Sequence, residues 1–136
     1  MQYVVIDTNV IVSAMLAKDL SQSVPFSVLS AVFMGKITPV VTVAILNEYK
    51  DVLNREKFGF DKNKVDILLS EFEQQSVKIS PVESDILLPD PKDVCFYDAA
   101  FAFKECNVIL VTGNIKHFPN CPFAMTPAQL KVKLEL

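Results

Sequence analysis

The chain of 136 residues has no tryptophan, three glycines, three cysteines, one histidine and a single arginine, Arg55. Gly35, Gly59 and Gly113 stand too far apart to build a Walker loop or a G-x-G-x-x-G turn, which excludes the usual nucleotide-cofactor enzymes. Cys95, Cys106 and Cys121 are odd in number and lack C-x-x-C spacing, so they read as free thiols in a reducing, cytoplasmic setting. No apolar run approaches the roughly 18 residues of a membrane span. The apolar start Tyr3-Val4-Val5-Ile6 is cut at Asp7 with no basic residue before it, and is therefore not a signal peptide. Positive charge is also short. Thirteen Lys+Arg against sixteen Asp+Glu leave a net charge of −3 with no basic run, so groove-reading DNA binding fits poorly. Any nucleic-acid role must be local or bridged by a cation.

What the chain does have is apolar residues, 51% of the total, and eight prolines spread without a linker-like tract. One domain over residues 1–136 follows. Tyr3 to Ile6 reads as a buried strand, Asp7-Thr8-Asn9 as a polar turn, and the apolar residues from Val10 to Ala17 as a helix. Phe26 to Gly35 reads as a buried helix closed by Gly35, followed by a strand over Thr38 to Thr42. From Val43 to Lys57 the positions Ile45, Leu46, Tyr49, Val52 and Leu53 recur at helical spacing, with Glu48 on the margin of that stripe. Asp61 to Gln75 is a second amphipathic helix capped at Asp61, and Val77 to Ile79 a strand. Val94 to Glu105 is apolar almost all round and reads as a core helix, leading through Asn107 into a buried strand over Val108 to Val111. Thr112-Gly113-Asn114 ends that strand, and Thr126-Pro127 opens a C-terminal helix. Strands with continuous apolar runs, alternating with helices, predict a three-layer α/β/α sandwich around a mainly parallel sheet. Its functional residues then belong at the strand C-termini.

Three carboxylates sit at such places. Asp7 ends the first strand, Glu48 borders the core stripe of a middle helix, and Asp93 opens the core helix. Singly, Asp7 and Asp93 read equally as helix caps and Glu48 as a solvated boundary residue. Together at one sheet edge they would raise one another's pKa unless a hard cation lay between them, and oxygen ligands of this kind suit Mg²⁺ or Mn²⁺. Asp90, before Pro91, reads as a turn residue, and Asp98 as solvated surface on one strip with Glu105. His117, between Lys116 and Phe118, reads as a surface residue, because general-base work would need a placed partner.

The succession Asp7-Thr8-Asn9-Val10, Asn47-Glu48-Tyr49-Lys50-Asp51-Val52-Leu53, Asp90-Pro91-Lys92-Asp93 and Val111-Thr112-Gly113-Asn114, each at the end of a strand or on a helix, resembles the PIN-domain ribonucleases over almost the whole chain. Within them it looks most like the VapC-related toxins of toxin-antitoxin systems. The resemblance implies a PIN-like sandwich and a cytoplasmic Mg²⁺- or Mn²⁺-dependent endoribonuclease acting on RNA. It makes Asp7, Glu48 and Asp93 the three family acids, metal-binding and catalytic, with Thr8, Asn9 and Thr112 as supporting polar residues. Asn114 falls where many relatives carry a fourth acid, so the cluster drops from four formal negatives to three and the case for a second metal weakens. A homodimer and an antitoxin partner are also implied, and Lys50, Lys92 and Lys116 are candidates for contacts to flanking phosphates. The rival expectation is a catalytically weakened PIN-fold interaction protein, motivated by Asn114 and the negative charge.

Overall fold

The computed structural model describes residues 1–136 and contains five strands and six helices. The strands are β1 (Tyr3–Ile6), β2 (Thr38–Val41), β3 (Val77–Lys78), β4 (Ile109–Val111) and β5 (Ala124–Met125). They form one sheet in the order β3-β2-β1-β4-β5, and every neighbouring pair is parallel. Val4, Val5 and Ile6 of β1, Val40 and Val41 of β2, and all three residues of β4 are buried. Continuous burial along each of these strands is what a parallel sheet covered on both faces requires.

The covering helices are α1 (Thr8–Leu16), α2 (Val24–Phe33), α3 (Val43–Leu53), α4 (Lys62–Gln74), α5 (Val94–Ala102) and α6 (Pro127–Leu134). α1, α2 and α6 pack in series, α3 packs with α4, and α5 lies along β1, β2 and β4. This is the expected α/β/α sandwich. Local chemistry sets several helix starts. Asp61 accepts from the amides of Asn63 and Lys64, and Thr126 forms a capping box with Gln129. Ser23 accepts from the amide of Phe26, so α2 begins earlier than its apolar run, at Val24 with Pro25 in its first turn. α3 ends at Leu53 and α5 at Ala102, short of Lys57 and Glu105. Their apolar patterns continue into separate 3₁₀ turns, Glu56–Phe58 and Lys104–Cys106. β5 is two residues long, below what a sequence pattern registers.

Asp98 departs from the expectation of a solvated residue. It is only 7% exposed, and it accepts from the Ser84 hydroxyl at 2.6 Å and the Ser84 amide at 3.3 Å. The segment between β3 and α5 folds back onto α5 and covers that face, a long-range contact that helical periodicity cannot register.

Beneath the carboxyl ends of the strands lies Tyr49, fully buried on α3. Its ring meets Phe72 edge-on at 5.6 Å and lies 6.1 Å from Phe96. Its hydroxyl donates to the carbonyl of Ile6, the residue before Asp7. Burial and the nearby Asp7 carboxylate push the phenol well above its ordinary pKa, so it stays a donor. Tyr49→Phe keeps the packing and loses that bond. We expect a cost of about 1 kcal/mol in denaturant unfolding with an unchanged m-value.

Candidate active site

The register Ile6 with Val111 brings the ends of β1 and β4 flush, and the Asp7 amide donates to the Val111 carbonyl at 2.9 Å. Asp7 and Thr112, the next residue on each chain segment, therefore lie side by side. The Thr112 hydroxyl donates to Asp7 Oδ2 at 2.7 Å, and the Asn9 amide group donates to the same oxygen at 3.1 Å. Asn9 Oδ1 in turn accepts from the Gly113 amide at 3.0 Å. A Cβ at Gly113 would come within 3.2 Å of that Asn9 oxygen, so a side chain here crowds the Asn9 carboxamide that holds Asp7. The Asn114 amide donates to Thr112 Oγ1 at 3.0 Å.

The same chain of bonds reaches Asp93. Asn114 Nδ2 lies 2.9 Å from His117 Nε2, and His117 Nδ1 lies 3.0 Å from Asp93 Oδ2. With the Asn114 side chain donating, the ring is the Nδ1–H tautomer and donates to Asp93. His117 is thus a placed residue in the site and not the surface residue expected. Its partners lie three residues away, at the N-cap of the 3₁₀ turn Ile115–His117, and 24 residues upstream. Only the nearer pairing leaves a trace in the sequence, as Asn-x-x-His. Asp90 does cap the 3₁₀ turn Pro91–Asp93 by accepting from the Lys92 amide, as a turn residue should. It also brings a carboxylate oxygen into a group with Asp93 and His117 whose ligand atoms all lie within 4.8 Å of one another.

Asp7 and Asp93 occupy helix N-cap positions, yet neither side chain makes a capping hydrogen bond. Each takes its side-chain hydrogen bonds through Oδ2, and no side chain bonds to its Oδ1. Burial raises the Asp7 pKa against the lowering effect of Thr112 and of the first amides of α1. Asp93 is pushed up to about 6, first by burial and then by the charges of Asp7 and Asp90, with His117 pulling the other way. Glu48 is half-buried and belongs to none of the ion pairs. Its charge falls on Cys95, whose thiol is driven to about 12 by burial, then by Glu48, and less by Asp93 and Asp7. Thr8, beside Asp7, keeps a buried hydroxyl without a partner. The residues whose ligand atoms gather within reach of one ion are Asp90, Asp93 and His117, with Asp7 near enough to raise Asp93 by its charge and Glu48 outside the group. Carboxylates gathered in this way suit a hard divalent cation.

A family model described as PIN domain matches residues 3–116. The chain belongs to the PIN domain family. No curated protein matches it. PIN domains are generally nucleases that use divalent metals, and the acidic group of this PIN domain fits that chemistry. No helix is long and apolar enough to cross a membrane.

A carboxyl with a folded pKa above the ordinary 3.8 stabilises the folded chain while protonated. The contribution of Asp93 is complete below that value and is lost as pH rises through about 6. In EDTA, wild-type melting temperature should fall relative to Asp93→Asn across this window. Parallel pH profiles for the two proteins would refute the assignment.

Proposed function

We propose that this PIN domain is an Mg²⁺- or Mn²⁺-dependent endoribonuclease, the cytoplasmic toxin component of a toxin-antitoxin pair, working as a homodimer. The observation that carries the reading is the pair Asp7 and Asp93 at the carboxyl edge of the sheet, each held by neighbouring side chains through Oδ2 and with no side chain on Oδ1. Asp7, Asp93 and Glu48 would hold the ion. When bound, it supplies Lewis-acid polarisation of the phosphate and offsets the repulsion between an acidic site and an acidic substrate.

The chain's own residues perform the rest. Thr112 and Asn9 keep Asp7 aimed, and His117 does the same for Asp93. Glu48 orients the attacking water and takes its proton. The water oxygen bonds to phosphorus in line with the departing 3′ oxygen, so the products carry a 5′-phosphate and a 3′-hydroxyl. Exposed Lys92 and Lys116 flank the site and contact neighbouring phosphates, with Lys50 further along α3. Asn114 favours a second reading, a PIN fold kept for binding a partner, because an amide bonded to His117 stands where many relatives carry an acid.

The deciding experiment is cleavage of mixed-sequence single-stranded RNA with Mn²⁺, Mg²⁺ or EDTA. We expect metal-dependent cleavage that falls on the order of a hundredfold or more in Asp7→Asn and in Asp93→Asn, with unchanged circular dichroism. Retained cleavage in Asp7→Asn rejects the assignment. No cleavage together with no metal uptake by calorimetry supports the second reading. For the toxin role, induced expression in bacteria should arrest growth with the wild type and not with Asp7→Asn.

A further inference from the structure

Beside the acidic group lies a cavity of about 340 Å³. It opens between the start of α3, the segment after β3 and the start of α5. All strands are parallel, so the residues following β2 and β3 lie on the same sheet edge as Asp7 and Thr112, and the cavity continues the candidate active site sideways. Val94 and Cys95, directly after Asp93, form the shared wall. Cys95 feels the charges of Glu48, Asp93 and Asp7 together, an independent sign that cavity and acids adjoin.

The lining selects its ligand. It holds the carboxylates of Glu83 and Asp98 and no basic residue, which excludes a phosphate. Asp98 gives two acceptor positions to Ser84 and keeps the rest of its lone pairs. The cavity is also lined by Val43 and Ala44, whose amides are the first two of α3, and such amides have no acceptor within their helix. A ligand matching both kinds of group has adjacent N–H donors next to a carbonyl oxygen. Among the bases of RNA, guanine presents N1–H and the 2-amino group beside O6, whereas uracil turns carbonyls toward the carboxylates. The volume lies at the low end of the roughly 300–1,000 Å³ typical of ligand pockets, the scale of one base with part of its sugar.

We propose that this cavity is a guanine subsite that positions the nucleotide next to the scissile phosphate. The proposal rests on the nuclease reading for its role in cleavage, but base binding is measurable without metal or turnover. A basic side chain from a partner would satisfy Glu83 and Asp98 but has no carbonyl for the α3 amides, so the base is the better match.

The test is NMR titration of the wild-type protein in EDTA with guanosine, adenosine, cytidine, uridine and arginine amide at matched concentrations. Guanosine should shift the amides of Val43, Ala44, Ser84 and Asp98 and bind about tenfold tighter than uridine. Ala44→Phe, at an exposed position that projects an aromatic ring into the cavity, and Glu83→Gln should each lose this preference while keeping the wild-type spectrum elsewhere. Equal response to all four nucleosides, no response, or a response to arginine amide alone overturns the subsite. Sequencing of RNA ends after Mn²⁺ digestion separates the two ideas. Cleavage without a fixed guanine position removes the subsite and leaves the nuclease, whereas guanosine binding without cleavage leaves the subsite and removes the nuclease.

Discussion

The site depends on the parallel register between β1 and β4. Pairing Ile6 with Val111 puts Asp7 against Thr112. A slip of one residue would turn every side chain of β1 to the other face of the sheet and break the hydroxyl contact to Asp7. That register is enforced from both sides. The buried runs of β1 and β4 fill the core, and Tyr49 ties the last carbonyl of β1 to α3, the helix that also carries Glu48. Core packing and placement of the acids are therefore one constraint.

The acids are held in an electrostatically unfavourable arrangement by neutral partners. Thr112, Asn9, Asn114 and His117 form a continuous path from Asp7 to Asp93 and bring no full positive charge while the imidazole is neutral. A lysine in their place would satisfy the carboxylates and occupy the space a divalent ion needs. Polar neutral supports fix orientation and leave the charge uncompensated. Such supports matter to a metal site nearly as much as its ligands do.

The layered fold was legible in the sequence because long apolar strands and helical stripes carry strong periodicity, as at Val4-Val5-Ile6 and across Ile45, Tyr49 and Leu53. The polar ends of β1 and β4 mark Asp7 and Thr112 in the same way, and the polar start of the core helix marks Asp93. Asp98 and His117 were misread because their environments are made by distant chain. Ser84 reaches Asp98 from the segment after β3, and Asp93 meets His117 across the mouth of the site. Glu48 sits between these cases. Its place on the stripe margin of α3 was visible, while its nearness to Cys95 required the packing of α3 beside α5.

Both outermost strands of the sheet, β3 and β5, are only two residues long. A border that short offers almost no row of unpaired amides and carbonyls for a foreign strand to zip onto. The sheet is sealed against lateral growth, which guards a chain with 51% hydrophobic residues from edge-to-edge aggregation. It also leaves helices and loops, and not a strand edge, as the surfaces against which any protein partner can dock.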